Sequence, residues 1–251
     1  MLGSTSIQQG SRWHERTGAR LAMLLVLAAA IALAVRVVRP GGGNAQVYTT
    51  RVGELRTVAL PDSTQVTLAP LSELRVDGNY GSENRGVDLT GEAWFDVKPD
   101  SARPFRVRAF GTITESLGAS SFSARALAGD SVVHVVVAEG SATVGLANAP
   151  ASPGAVLNAR DAVQLEVRNF AAHILRGVAV ESLTGWRSGH IDFSSAVLGD
   201  VAAALQRWYG IATRFEKPEL AQRQVSYSIP TNDLAKALEV MGRSIVVQIE
   251  R

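Results

Sequence analysis

An unbroken apolar segment near the N-terminus divides this chain into two parts. Leu21 to Val35 contains no charged or polar side chain, and the apolar run reaches Val38 if Arg36 extends toward a bilayer surface. The resulting 18 residues meet the lower limit for a membrane-spanning helix, which is about 17 residues. The segment therefore predicts a single transmembrane helix over residues 21–38.

The charges around this segment favour a cytoplasmic N-terminus. Arg12, Arg16 and Arg20 precede it, and basic residues collect on the cytoplasmic side of membrane helices. A cleaved signal peptide is the alternative, because a basic start, a short apolar core and the Ala-Leu-Ala sequence at 32–34 are also its ingredients. Both interpretations place the rest of the chain across the membrane.

The net charge of +2 is unevenly distributed. Residues 1–40 contain five Arg and one Glu, whereas residues 41–251 contain 20 basic and 22 acidic residues. Nucleic-acid-binding domains are usually basic, so nucleic acid is not expected as a partner of this slightly acidic body. The absence of Cys excludes disulfides, iron–sulfur clusters and thiol catalysis, and it disfavours structural zinc.

Residues 46–170 have the pattern of an all-β domain. Short alternating or β-branched segments, such as 105–108 and 132–137, recur between turn-forming clusters. Pro61-Asp62-Ser63 is one such cluster, in which Pro fixes φ and Asp is able to close an Asx turn. The pattern predicts a solenoid- or sandwich-like β fold.

After Trp186 the pattern becomes mixed. One helix places Val197, Val201, Leu205 and Trp208 on a single apolar face. The predicted elements are a strand at 190–193, a helix capped by Ser194 or Ser195 and ended by Gly210, strands at 211–215 and 225–229, a helix capped by Thr231, and a strand at 244–249. This β-α-β-β-α-β order predicts a small α+β domain over 186–251.

No pattern in the sequence indicates catalysis or metal binding. None of the four His (His14, His134, His173 and His190) has the spacing of a metal site. His190 and Asp192 share one strand face, but no Ser in a nucleophile-elbow context accompanies them. Asp88, Glu92 and Asp96 are expected on strand and turn surfaces rather than as a glycosidase pair. No catalytic, cofactor or metal residues are therefore predicted, and we expect that the protein is not an enzyme.

Three aromatic residues are candidates for partner binding. Trp94 and Phe95 are neighbours on a predicted strand, so one should enter the core while the other is exposed or covers an interdomain seam. Tyr209 is rotated by about 100° from the buried face that holds Trp208. Tyr227 lies on a strand whose open edge could pair with a partner strand. The predicted partner-binding residues are Tyr209, Tyr227 and Trp94.

Several motifs follow one another in an order and spacing that resemble the periplasmic region of FecR-type sigma-factor regulators. They are Thr50 to Ser63, Val87 to Val97, Arg103 to Val107, Leu117 to Phe122, the Val135 to Val144 strand pair, the Trp186, Gly189, Ile191 and Phe193 set, and Arg207 to Gly210. Ser63 departs from the Gly that is usual in that family. The last domain looks like a secretin/TonB short N-terminal domain, and the resemblance covers residues 46–251.

This resemblance implies a regulator in the inner membrane of a Gram-negative bacterium. Its periplasmic body would receive a signal from a TonB-dependent outer-membrane receptor and pass it to an extracytoplasmic-function sigma factor. The implied organisation is a cytoplasmic tail (1–20), a transmembrane helix or signal peptide (21–38), a Gly-rich linker (39–45), an all-β FecR-type domain (46–170) and an α+β domain (186–251).

The N-terminal tail departs from the family pattern. FecR-type proteins usually carry a helical sigma-binding domain before the membrane, and the 20 residues found here are too few to form one, since short isolated helices are marginal in water. Either the start is truncated or the protein keeps the sensor without the sigma-binding part. The alternative functions are a periplasmic module that binds cell wall or polysaccharide through stacking on Trp94, and a hydrolase, which the motifs disfavour.

Overall fold

A computed structural model describes residues 45–82, 84–149, 154–169 and 171–244. Within these ranges the strands are β1 (Gln46–Thr49), β2 (Arg56–Ala59), β3 (Gln65–Leu68), β4 (Glu73–Val76), β5 (Arg85–Val97), β6 (Phe105–Ala109), β7 (Thr112–Ser116), β8 (Ser120–Ala126), β9 (Val132–Glu139), β10 (Ser141–Leu146), β11 (Ala155–Asn158), β12 (Ala162–Glu166), β13 (Ala172–Leu175), β14 (His190–Val197) and β15 (Gln224–Pro230). The helices are α1 (Val180–Leu183), α2 (Leu198–Tyr209) and α3 (Leu234–Ser244), with 3₁₀ turns at Gly185–Ser188 and Pro218–Gln222. We call β1 to β13 the β domain, and β14, α2, β15 and α3 the C-terminal domain.

The long strand β5 joins two sheets of the β domain. Its first half pairs with β4 and β6, and that sheet continues through β1, β7, β10 and β11. Its second half pairs with β3 and β8, and that sheet continues through β2, β9, β12 and β13. In the described part of the chain all ladders are antiparallel apart from β5–β6. The predicted mainly β fold is confirmed, and it has the sandwich-like form.

Gly91 marks the point where β5 passes from one sheet to the other. Its φ is +106°, and a Cβ at this position would lie 2.4 Å from the Ser72 Oγ. A side chain is therefore excluded both by backbone conformation and by space. The Ser72 hydroxyl accepts the Glu92 N–H at 2.9 Å and donates to the Glu92 carbonyl at 3.1 Å, which fixes the backbone just after the bend.

The two sheets share one apolar core. Phe95 lies between Phe105 and Phe122, with ring centroids 5.6 Å and 5.1 Å away, and all three side chains are fully buried. Aliphatic residues from both sheets, such as Val87 and Val135, complete the same cluster. The alternation of β5 supplies this core with its odd-numbered residues.

The predicted turn at Pro61-Asp62-Ser63 is confirmed. The Asp62 Oδ1 accepts the Thr64 N–H at 3.0 Å, which closes the Asx turn. Ser63 has a φ of +67°, in the left-handed region that Gly adopts most easily. This conformation accounts for the Gly that related sequences usually carry at this position.

The C-terminal domain has a core of its own. β14 and β15 form a two-stranded antiparallel sheet, against which α2 and α3 pack through Leu198, Val201, Leu205, Ile229, Ala237 and Met241. The predicted apolar face of α2 is confirmed for Val201, Leu205 and Trp208, whereas Val197 lies before the helix at the end of β14. Gly210 ends this helix in the left-handed conformation with a φ of +73°.

The structure corrects three local predictions for this domain. Residues 211–215 form no strand in the described chain; Phe215 instead packs its side chain partly against the core. Ser194 and Ser195 do not cap α2, because β14 continues through them with a register shift and the helix begins at Leu198. The side chain before α3 that caps the helix belongs to Asp233, whose Oδ1 accepts the Lys236 N–H at 2.9 Å, rather than to Thr231.

The remaining predictions for the chain ends fall outside the described residues. These are the transmembrane helix at 21–38, the linker through residue 44 and residues 245–249 of the closing strand predicted at 244–249, whose first residue, Ser244, ends α3. Among the residues that the structure does describe, no helix has the length and apolar character needed to cross a bilayer.

Candidate functional site

The most distinctive site of the described chain is the seam between the two domains. Even-numbered residues of β5 point away from the β-domain core, and here they meet α2 and the 3₁₀ turn at Gly185–Ser188. The seam comprises Ala69, Trp94, Trp186, Ala204 and Trp208, each no more than 5% exposed. The prediction that Trp94 and Phe95 face opposite ways, with one aromatic in the core and the other at an interdomain seam, is confirmed.

A cation closes the outer side of the seam. The Arg187 guanidinium lies 3.6 Å from the centroid of the Trp94 ring, which is within the range of a cation–π interaction. The Trp94 indole Nε1 donates to the Asp96 Oδ1 at 2.8 Å. The buried ring is therefore held both on its face and at its polar edge.

The loop between β1 and β2 contacts the end of α2. The Gly53 N–H donates to the Arg207 carbonyl at 3.0 Å, satisfying one of the carbonyl groups that a helix leaves free at its C-terminus. Gly53 has a φ of +67°, and a Cβ there would lie 2.8 Å from the Trp208 carbonyl oxygen. The approach is thus close enough to require Gly.

Three charged residues lie beside the tryptophans. Glu92 on β5 is paired across the ladder with Arg125 on β8, and Arg207 on α2 faces both from the other domain. We call Glu92, Arg125 and Arg207 the triad. Glu92 is only 9% exposed, so its predicted place on a solvated surface is wrong. The cause is non-local, because α2 covers the face of β5 that would otherwise meet water.

Burial dominates the electrostatics of the triad. Removal from water raises the pKa of the Glu92 carboxyl, and the charges of Arg125 and Arg207 together with the Trp186 indole only partly oppose this. Burial likewise lowers the pKa of the Arg207 guanidinium, and the charge of Arg125 lowers it further. The charges of Glu92 and Arg207 are therefore incompletely compensated.

The polar groups around the triad are also incompletely paired. In the described part of the chain, none of the ion pairs includes Glu92, Arg125 or Arg207. The Arg125 Nε is buried without a hydrogen-bond partner there. Unpaired buried donors are uncommon and costly in folded proteins.

The other carboxylates and histidines examined in the sequence lie elsewhere. Asp88 is exposed and pairs with the Arg108 Nε at 2.6 Å, as expected for a surface residue. The His190 Nε2 and the Asp192 Oδ2 are 3.5 Å apart. Burial, with a contribution from Arg125, lowers the pKa of His134 to about 4. Over the described ranges, no three potential metal ligands form a cluster.

The three residues predicted for partner binding occupy different environments. Trp94 is buried in the seam. Tyr209 is half-buried, and its hydroxyl donates to the Pro230 carbonyl. Tyr227 is half-buried against Phe193, its cross-strand neighbour, with ring centroids 5.6 Å apart. The structure brings Tyr209 and Tyr227 together at the C-terminal domain core, and Tyr209 also packs against the cluster that contains Trp94.

The sequence did not identify Gly53, Arg125 or Arg207 as site residues. One signal was present in the sequence. Glu92 lies two residues before Trp94 on the same predicted strand, and side chains two residues apart on a strand point to the same face of the sheet. Gly53 stands in a polar loop, and Arg207 resembles any basic residue near a helix end. Neither carries a local pattern that distinguishes it.

The comparisons with known proteins agree with this two-domain arrangement. The family described as FecR protein matches residues 46–143, and the family described as FecR, C-terminal matches residues 190–251. Two crystal structures of a candidate anti-sigma factor from Parabacteroides distasonis ATCC 8503, at 1.65 and 2.50 Å resolution, have the same fold, with TM-scores of 0.72 and 0.70. In each case the identity is 24%, and the match covers 82% of this chain and 94% of the other.

No curated protein matches the chain. The two family matches nevertheless fall on the β domain and on the C-terminal domain in the order that the resemblance predicted. The chain belongs to the FecR family.

Proposed function

We propose that this protein is an anti-sigma regulator whose body receives a signal from a TonB-dependent receptor. The observation that carries the proposal is the pairing of a FecR β domain with a FecR C-terminal domain in one chain, together with a fold shared with a candidate anti-sigma factor. Anchoring in the inner membrane through residues 21–38, a periplasmic body and relay to an extracytoplasmic-function sigma factor belong to the same proposal. Protein–protein contact is its mechanism, without catalysis or a cofactor.

The C-terminal domain is the proposed receptor-binding part. In the described chain β14 and β15 pair only with each other, so the sheet offers strand edges with free N–H and C=O groups. Such edges accept a strand from a partner. Tyr209 and Tyr227 lie beside this sheet and are only partly buried, so both would be near an added strand.

Binding of the full chain to the signalling domain of a TonB-dependent receptor tests this assignment. We expect saturable binding by calorimetry that weakens about ten-fold or more with Tyr209→Ala or Tyr227→Ala, since aromatic residues dominate such contacts. Tyr48→Ala, which changes a half-buried tyrosine of the β domain, is the matched control and should bind normally. Equal affinity of all three variants would remove the two tyrosines from the interface. No binding at high micromolar concentration would count against the receptor.

Polysaccharide binding through Trp94 is less well supported. Stacking on a sugar needs an open aromatic face, and this ring is 4% exposed with Arg187 above it. The geometry favours a role for Trp94 in holding the domains together.

A further inference from the structure

The contacts across the seam are few for a boundary between two domains that each have a core. Among the described residues, one backbone hydrogen bond joins the β domain to the C-terminal domain, from the Gly53 N–H to the Arg207 carbonyl. The remaining contacts are those of the tryptophan cluster and the triad. The C-terminal domain keeps Leu205, Ile229 and Ala237 buried in its own core, and only partly buried residues of this domain (Ile191, Phe193 and Tyr209) pack against both that core and the tryptophan cluster.

The short helix α1 contacts β14 of the C-terminal domain and also β9 of the β domain. Val180 packs against Val136 and Ala162 of that domain, and the Val178 N–H donates to the Arg160 carbonyl at 2.8 Å. A movement of the C-terminal domain about the 3₁₀ turn that carries Trp186 would therefore also break the contacts between α1 and β14. Gly189, with a φ of +94°, ends that turn.

The triad weakens this boundary. Buried charges gain from being together only when their geometry and hydrogen bonds compensate for the water they lose. Here Glu92 has two guanidiniums nearby but no ion pair with either in the described chain, and the Arg125 Nε is left without an acceptor. An apolar boundary of the same size would hold more tightly.

We propose that the seam is a built-in release point, at which the triad keeps docking weak enough for the C-terminal domain to separate from the β domain while both stay folded. Separation exposes Trp94, Trp186 and Trp208 and frees the loop that contains Gly53. This separation is a property of the chain's own fold and does not depend on the partner proposed above.

The chain contains no Cys, so single cysteines report separation directly. Ala204→Cys and Ala69→Cys place a thiol on either side of the seam, at positions that are 2% exposed. Ala124→Cys and Ala237→Cys place it in the cores of the β domain and of the C-terminal domain. All four changes start from a buried alanine, so the two core variants are matched controls.

Labelling of the native full chain with a thiol reagent distinguishes local separation from global unfolding. We expect both seam cysteines to react at least about ten-fold faster than both core cysteines, because only separation is needed to reach them. Equal rates at all four positions would overturn the proposal. Two seam cysteines are used so that fast labelling caused by one substitution disturbing its own surroundings is recognised by comparison with the other.

The role of the triad is tested in the Ala204→Cys background. Replacing all three charges, with Glu92→Leu, Arg125→Met and Arg207→Met, should slow labelling about ten-fold, and Glu92→Gln alone should also slow it, by a smaller factor, because docking then buries no carboxylate charge. Unchanged or faster labelling in the folded triple variant would remove the triad from the mechanism. If the triple variant loses its circular dichroism, the Glu92→Gln variant decides, and labelling of this variant that is no slower than in the parent overturns the claim.

Discussion

Two neighbouring residues of β5 belong to two very different interfaces. Phe95 lies in an apolar cluster between Phe105 and Phe122, whereas Trp94 lies in a seam that mixes aromatic rings with the buried Glu92 and the partly buried Arg125 and Arg207. The buried Arg85 guanidinium beside Phe105 is fully compensated, because it pairs with the Asp62 carboxylate and donates to the Lys98 and Arg103 carbonyls. The seam buries large rings as well, but it also desolvates Glu92 and Arg207. Burial alone therefore does not measure how firmly two parts of a protein are held together.

The largest effect is expected from the core. Phe95→Ala removes a fully buried ring that contacts both sheets, and such truncations lower the free energy of unfolding by about 3–5 kcal/mol. Denaturant unfolding followed by circular dichroism measures the loss. Phe95→Leu is the control and should cost much less, because it keeps most of the volume. A loss below about 1 kcal/mol for the alanine variant would contradict the central place of this ring.

A smaller effect is expected where the β1–β2 loop contacts α2. Gly53→Ala places a Cβ 2.8 Å from the Trp208 carbonyl oxygen at a φ of +67°, which should weaken docking by about 1–2 kcal/mol. We expect faster labelling of the Ala204→Cys thiol and little change in the unfolding of the β domain. Gly129→Ala, which also has a positive φ but no atom within 4 Å of the added Cβ, controls for backbone strain. Equal labelling in the two variants would show that the contact does not matter.

The smallest effect is expected from pH. Docking raises the pKa of Glu92 above its ordinary value, so the docked state holds a proton more tightly than the separated state does. Docking is then most favourable at pH values below the ordinary pKa of the carboxyl, and it weakens as pH rises through the docked-state pKa. The pKa of His134 lies near 4, and guanidiniums stay protonated at ordinary pH.

Labelling of the Ala204→Cys thiol from about pH 5 to pH 8, corrected for the reactivity of a free thiol, measures this dependence. The corrected rate should rise with pH in the wild-type background. In the Glu92→Gln background the rise should disappear, since the titrating group is gone. The same slope in both backgrounds would assign the titration to another group.

Much of the fold follows from local sequence patterns. The period-two pattern of β5 predicted opposite faces for Trp94 and Phe95, and the 3.6-residue period predicted the buried face of α2. The strand β4 carries the same kind of alternation, with Leu74 and Val76 buried, although it was not predicted. The prediction of a strand at 211–215 is wrong because Phe215 contacts its apolar partners through side-chain packing rather than as part of a paired strand. Both arrangements produce the same apolar pattern in the sequence.

The site could be predicted less well, because its character is non-local. A glutamate on a strand usually faces water, and only the position of α2 shows that Glu92 does not. Arg125 is placed by strand pairing and Arg207 by the docking of a separate domain, and no spacing within either segment indicates a shared environment. Tyr227 illustrates the same limit, since its hydroxyl is buried without a hydrogen-bond partner in the described chain.

The distribution of tryptophan provides the most direct measurement of the difference between core and seam. Three of the four Trp residues of the chain, Trp94, Trp186 and Trp208, lie in the seam, and Trp13→Phe removes the fourth. In this variant we expect the tryptophan emission to shift to longer wavelength at a lower denaturant concentration than the loss of far-ultraviolet circular dichroism, because the domains separate before they unfold. Coincident transitions for the two probes would show that the seam and the cores unfold together, contrary to this account.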